Sequence, residues 1–285
     1  MHTIRISCSP DADDLFMVRA LLEGRIDTGD YRFEIGTSPT DALNRLGEGR
    51  DAPEVLAISI AHYPAIADRY QLLPHGGSLG EGYGPVVVGR SRASVEALRH
   101  TRIGVPGLTT TAWMVLQLLL GEGSGVEPVV IPIEPYDRIF EAVRDGSVDF
   151  GLVIHEGRLT FEDEGTHAVV DIGAWWAEQT GGLPLPLGGN VIARHLGEEH
   201  VRAISDLYRA SIAHALEHRD EAIDWLLSRG GPLGTRERVS EYLSMYANER
   251  TLDYGEPGRR GVEVLFTRAA EAGLLPSVPE VDWAP

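Results

Sequence analysis

The chain has 285 residues, 25 of them basic and 43 acidic, for a formal charge of −18. At 43% hydrophobic content it can bury a large core, as one large domain or as two lobes. No basic patch stands out, which argues against a nucleic-acid partner, and any pocket for an anion must be built locally against the overall field. The single cysteine, Cys8, excludes an intramolecular disulfide and a multi-cysteine metal site. The N-terminus enters strand pattern at once, and no window has membrane-spanning apolar length. The expectation is a cytoplasmic protein without membrane insertion.

Thr3 to Cys8 alternates apolar and polar residues as a first strand, which makes the Cys8 thiol a buried, inert one. Ser9-Pro10-Asp11-Ala12-Asp13-Asp14 breaks the pattern, and Leu15 to Leu22 reads as a helix closed by Gly24. Aspartates there serve as helix caps or as acceptors for ligand hydroxyls. Tyr31 to Gly36 is a strand, Thr40 to Gly47 a helix carrying Asn44, Val55 to Ile60 a strand with Ser59 at its end, and Ala61 to Tyr70 a helix. The glycine run from Gly76 to Gly84 lacks both the P-loop lysine and dinucleotide spacing, and reads as a mobile loop.

Pro85 to Val88 and Arg102 to Val105 are strands around a short helix, Ser94 to Arg99. Thr109-Thr110-Thr111-Ala112 then opens a helix running to about Leu120. Hydroxyls, free N–H groups and the positive end of the dipole meet at such a junction, so it suits a carboxylate as well as plain threonine capping. Val129 to Ile133 is a strand and Tyr136 to Arg144 a helix. Val148 to Ile154 is the central strand, and it ends abruptly in His155, Glu156 and Gly157. Ligand sites of open α/β sheets lie beyond the carboxyl ends of strands, and an imidazole there can exchange a proton near neutral pH. A polar cap on the strand is the alternative.

Thr166 to Ile172 is a strand followed by Trp175-Trp176, which serves either the core or one face of an aromatic ligand. Gly182 to Asn190 is an extended crossing, Val191 to Ala193 a strand, and the tail from Glu198 is helical. His214 and His218 stand one helical turn apart, but no third ligand accompanies them, so no metal site is expected. Strands alternating with helices define an α/β fold with largely parallel sheets. Crossings near 84–90 and 187–194 give one lobe of residues 1–91 plus 188–285 and a second of 92–187. The junctions after Ser9, at Ser59, at Thr109 to Thr111 and at His155 then face one closable cleft. Oligomeric state has no signature in the sequence.

Taken together, these segments resemble the 1,4-dihydroxy-6-naphthoate synthase family of the futalosine route to menaquinone. That family shares its fold with chorismate dehydratase and with type II periplasmic solute-binding proteins. The marks are Ser9-Pro10 with Asp14 and Phe16, Asn44-Arg45, Asp68-Arg69-Tyr70, Gly84-Pro85, Val105-Pro106-Gly107 and Thr110-Thr111-Ala112. Tyr136-Asp137-Arg138-Ile139, Ile154-His155-Glu156, the segment Asp171 to Trp176 and the segment Leu183 to Gly188 continue the series. The resemblance implies a two-lobed periplasmic-binding-protein-like fold with a helical C-terminal tail. It also implies cleavage of cyclic dehypoxanthine futalosine to 1,4-dihydroxy-6-naphthoate and dihydroxyacetone, with no cofactor or metal. His155 would be the general base. Ala57, Ile58, Ser59, Thr111 and Ala112 would contact the aromatic carboxylate substrate, with Asp14, Asn44 and Thr110 in the same binding set. The chain departs from the family pattern at Asp11, Asp13 and Ala57, where a cysteine, an asparagine and a lysine are common, so the alternatives are a paralogue acting on a related substrate and a non-catalytic binding protein for a small organic acid.

Overall fold

The computed structural model describes residues 1–133 and 138–285. Its strands, in chain order, are β1 His2–Cys8, β2 Tyr31–Thr37, β3 Val55–Ser59, β4 Tyr70–Leu72, β5 Ser78–Gly80 and β6 Val86–Gly89. β7 Arg102–Val105, β8 Glu127–Val130, β9 Phe150–Val153, β10 His167–Asp171 and β11 Leu185–Ala193 complete the set. The helices are α1 Ala12–Leu22, α2 Thr40–Glu48, α3 Tyr63–Ile66, α4 Thr111–Leu120, α5 Arg138–Asp145 and α6 Gly157–Thr160. They continue as α7 Ile172–Thr180, α8 Glu198–Glu217, α9 Arg219–Arg229, α10 Arg236–Tyr246, α11 Glu249–Leu252 and α12 Gly255–Glu271.

Two sheets result. The first has the order β2-β1-β3-β11-β4, with β5 also paired to β11. The second has the order β10-β6-β9-β7-β8, so β9 lies at its centre. β1, β2 and β3 run parallel, as do β7, β8 and β9. Contrary to the expected largely parallel sheets, β6 and β11 pair antiparallel with all their neighbours. These two strands enter their sheets directly from the other lobe. They therefore run against strands that are reached through helical crossovers.

The lobe boundary also moves. β6 lies in the second sheet and all of β11 in the first, so the chain crosses within 81–85 and 181–184 rather than at 91 and 187. The run Ala61 to Tyr70 is not one helix. Helix α3 ends at Ile66, and Tyr70 and Leu72 pair with Ala193 and Val191 of β11. The glycine run from Gly76 to Gly84 contains β5 and is packed rather than mobile. A Cβ on Gly77 would overlap the buried Tyr254 ring. Tyr136 and its neighbour Asp137, expected to start α5, lie outside the described residues.

β3 is buried throughout, and β11 is buried except at Leu187 and Gly188 beside the cleft. Val55, Leu56, Ile58, Val191 and Ile192 are almost fully excluded from solvent. At roughly 1.5–3 kcal/mol per buried aliphatic side chain, this central pair anchors the first lobe. The tail closes onto the same lobe: Ile204, Tyr208 and Ile212 of α8 and Val262, Leu265 and Phe266 of α12 join its core. Helices α9 and α10 form a second cluster with Phe16 and Leu15 of α1. That packing carries α10 to the cleft.

Candidate active site

Two strand ends meet at the cleft, one from each lobe. From the first lobe comes the turn from Ser9 to Asp14, between β1 and α1. Asp11 occupies the N-cap position of α1, yet its side chain caps nothing. Its Oδ2 instead accepts the Ser9 hydroxyl and faces His155 Nδ1 at 2.9 Å. The capping role is filled from the other lobe: Glu156 Oε1 accepts the Ala12 N–H at 2.9 Å. Asp14 accepts the Ser9 N–H at 2.6 Å. Asp13 accepts the hydroxyls of Ser78 at 2.6 Å and Tyr242 at 3.1 Å. Helix capping, one of the two readings for these aspartates, is thus not what Asp11 does.

From the second lobe, β9 ends at Val153 and α6 begins at Gly157. His155 takes up the turn with φ of 50°. A non-glycine residue in the left-handed region costs about 1–3 kcal/mol and persists only where contacts hold it. Here the contacts come from the first lobe on both sides of the ring. Nδ1 meets Asp11, and Nε2 lies 3.1 Å from Thr40 Oγ1 on α2. The sharp turn lets consecutive side chains, His155 and Glu156, reach the same opposing loop. Gly157 permits the close return, because a Cβ there would overlap Val153.

The electrostatics follow from burial. Asp11, Asp13 and Glu156 are all nearly inaccessible to solvent. Burial is the first cause that raises the carboxyl pKa of Asp13, Asp14 and Glu156. For His155, burial opposes the charged ring. Asp11, through its charge and its hydrogen bond, then Asp13 and Glu156, outweigh it and raise the imidazole to about 10. One oxygen of Asp11 and one of Glu156 are buried without a hydrogen-bond partner among the described residues. Burial also raises the Tyr242 phenol well above its ordinary value.

The opposite wall is built by β3, α2 and the start of α4. Ser59, Ala57 and Ile58 line the cleft, as do Thr110, Thr111, Ala112, Asp14 and His155. Asn44 does not line the cleft. It is wholly buried behind the wall, where its amide donates to Ser59 Oγ at 3.2 Å and Thr109 Oγ1 at 2.9 Å and its oxygen accepts the Ser59 N–H at 2.9 Å. It braces the end of β3 against the loop before α4, and so one lobe against the other.

The threonine niche is also less open than its sequence suggests. Thr110 caps α4 by accepting the Trp113 N–H, and donates to Gly107 O. Thr111 Oγ1 accepts the Ala61 N–H at 3.0 Å and donates to Leu187 O at 2.7 Å. Both hydroxyl protons are therefore committed within the protein. The donors left for a carboxylate are the first N–H groups of α4, on Thr111 and Ala112, and the Ser59 hydroxyl.

Several cleft residues carried no sequence signal. Tyr242 and Tyr246 arrive on α10, from the far end of the chain. Ser78 arrives on β5. Arg158 lines the cleft with Asp171 at 2.7 Å and Gly84 O at 2.6 Å as its partners. Neither Trp175 nor Trp176 reaches the cleft. Trp176 is buried, with its indole N–H donating to Pro184 O at 3.2 Å. His214 and His218 stack at 4.2 Å, and among the described residues no group of three or more His, Cys, Asp or Glu has metal-site geometry. Among the same residues no helix is long and apolar enough to cross a membrane.

Two mixed sheets, a chain that crosses between them twice and a cleft at their junction define the type II periplasmic-binding-protein fold. The alkanesulfonate-binding protein of Xanthomonas axonopodis pv. citri shares it, with a TM-score of 0.68 at 14% identity over 99% of this chain and 96% of its own. A crystal structure of a protein from Archaeoglobus fulgidus superposes with a TM-score of 0.84 at 41% identity, covering 96% of this chain and 99% of that one. A menaquinone-biosynthesis family model matches residues 4–271. The 1,4-dihydroxy-6-naphthoate synthase of Thermus thermophilus is 40% identical, covering 98% of each chain. That of Streptomyces coelicolor is 35% identical over 97% of this chain and 96% of its own. The chain belongs to the 1,4-dihydroxy-6-naphthoate synthase family of menaquinone-biosynthesis enzymes.

Proposed function

We propose that the protein is a carbon–carbon lyase that splits cyclic dehypoxanthine futalosine into 1,4-dihydroxy-6-naphthoate and dihydroxyacetone, with His155 as general base. The observation that carries this reading is the His155 ring itself. It stands at the end of the central strand, in the cleft, with one nitrogen tied to a buried carboxylate and the other directed at a hydroxyl. A substrate hydroxyl that replaces Thr40 beside Nε2 gives up its proton there. The electron pair left behind drives cleavage of the neighbouring carbon–carbon bond, and aromatisation of the naphthoate ring makes the step downhill. The substrate carboxylate is held by the N–H groups of Thr111 and Ala112 and the Ser59 hydroxyl, with Ala57 and Ile58 against the ring. Helix N-termini suit this role because their first N–H groups lack intrahelical acceptors.

The test is release of naphthoate from cyclic dehypoxanthine futalosine by the purified protein, followed by absorbance or fluorescence. His155→Ala should bind the same ligand and lose turnover by roughly 10²–10⁴-fold, the usual contribution of a general base. Undiminished turnover in the variant would remove His155 from the mechanism. The acids Asp13 and Asp14 on the cleft wall favour a second reading, in which the substrate is a related molecule with more hydroxyl groups. Turnover of such a molecule but not of the cyclic futalosine would select it, whereas binding of the cyclic futalosine without any turnover by wild type would favour a non-catalytic binding protein.

A further inference from the structure

We propose that Asp11 is the positioning residue of His155, and that the closed lobes, the resting arrangement of the free protein, assemble the pair, which opening breaks to admit substrate and closing re-forms around it. Its catalytic meaning rests on the lyase reading, but the pair itself can be tested without substrate.

The two partners belong to different lobes. Asp11 follows β1 of the first sheet, and His155 follows β9 of the second. Their contact, Nδ1 to Oδ2 at 2.9 Å, exists only with the lobes together as they are here. The carboxylate can accept only from a protonated Nδ1, so it fixes the tautomer that leaves the lone pair of neutral imidazole on Nε2. That is the nitrogen facing Thr40 and the cleft. The Ser9 hydroxyl hydrogen-bonds the same oxygen of Asp11 and holds the carboxylate in place. Its other oxygen is buried without a partner among the described residues. A buried carboxylate in that state is costly, and an amide would cost less. The charge therefore has a use in this position, and the nearest group to use it is the ring.

The cluster explains how a histidine with so high a proton affinity can serve as a base. Around the ring stand Asp11, Asp13 and Asp14 from the first turn of α1 and the loop before it, Glu156 and Arg158 from its own turn, and Tyr242 and Tyr246 from α10. Arg158 is already paired with Asp171. When the lobes part, Asp11, Asp13 and Asp14 withdraw with the first lobe and the ring returns towards the ordinary histidine value, mostly neutral at pH 7.5. When they close around substrate, the neutral ring meets the carboxylates and becomes the strongest acceptor in the cleft. The proton it then accepts is the substrate's. Opening afterwards lowers its affinity again and releases that proton to solvent.

Histidine side-chain NMR on the intact protein tests this, with His155 assigned by the resonance missing from His155→Gln. In wild type, His155 should titrate well above the ordinary histidine range, towards about 10. In Asp11→Asn it should return towards 6.5, and Asp11→Glu should restore part of the rise. In parallel, the pH profile of kcat/KM should move to lower pH in Asp11→Asn, while its maximum falls by ~10²-fold or more because the amide can select the wrong tautomer. A wild-type His155 that titrates near 6.5, or a midpoint that is the same in Asp11→Asn, overturns the proposal whether or not the protein cleaves the cyclic futalosine. Absence of turnover in wild type, with His155 raised and returned by Asp11→Asn as expected, upholds the pair and counts against the lyase reading alone.

Discussion

Asn44→Ala isolates how the cleft wall is held. The Asn44 amide group makes hydrogen bonds to Ser59 Oγ, Thr109 Oγ1 and the Thr109 carbonyl, and accepts the Ser59 N–H. The residue is wholly buried, so the alanine variant leaves the Ser59 N–H without a partner in a space too confined for easy repair. A buried donor left unpaired costs about 1–3 kcal/mol, and the other lost bonds add about 0.5–1.5 kcal/mol each. The expected loss is about 3 kcal/mol. In a domain of this size that lowers the melting temperature by roughly 6–10 °C. Urea unfolding followed by tryptophan fluorescence, with the slope checked for constancy, measures it. Because the amide ties the β3 end to the loop before α4, substrate KM should rise more than kcat falls. A variant within about 0.5 kcal/mol of wild type, the typical scatter of surface substitutions, would show that the brace is not holding the wall.

The remaining predictions concern packing, the buried acids and pH. Gly173→Ala places a methyl group on the Tyr83–Gly84 backbone at the lobe crossing and should fail to yield soluble protein at wild-type levels, read from expression and gel filtration. Tyr242→Phe deprives buried Asp13 of one of its two donors and should destabilise by about 1–3 kcal/mol in urea. Stability should fall as pH rises from neutral to about 10, read from melting temperature. His155 has a folded pKa raised to about 10, so its contribution is complete below 6.5 and is lost as pH climbs through that higher value. The raised carboxyls of Asp13, Asp14 and Glu156 act in the same direction from a lower start, since their contribution is complete below the ordinary carboxylate range and is lost as pH rises through their raised folded values. In His155→Gln the alkaline part of this slope should disappear.

Much of the molecule is written locally. The alternation from Thr3 to Cys8, the apolar run at β9 and the helical periodicity of α8 locate their elements because each buries a face whose spacing repeats along the chain. The same local signals place His155 at a strand end, and the comparison with the naphthoate synthases agrees with the family legible in Ser9-Pro10, Thr110-Thr111-Ala112 and the tryptophan pair. What the sequence could not decide depends on residues far apart along the chain. The antiparallel entry of β6 and β11, the conversion of Tyr70 to Leu72 from helix to strand, and the burial of the glycine run all follow from a partner strand or ring elsewhere in the fold. The same holds for the cleft. Asp11 reads as a helix cap until Glu156, from the other lobe, takes the Ala12 N–H and leaves the aspartate free to face His155. Tyr242 becomes a cleft residue only because α9 and α10 pack on Phe16 and Leu15. Local periodicity fixes which residues are buried and where strands end, whereas the proton affinity of one imidazole depends on charges that only the closed pair of lobes brings within hydrogen-bonding distance.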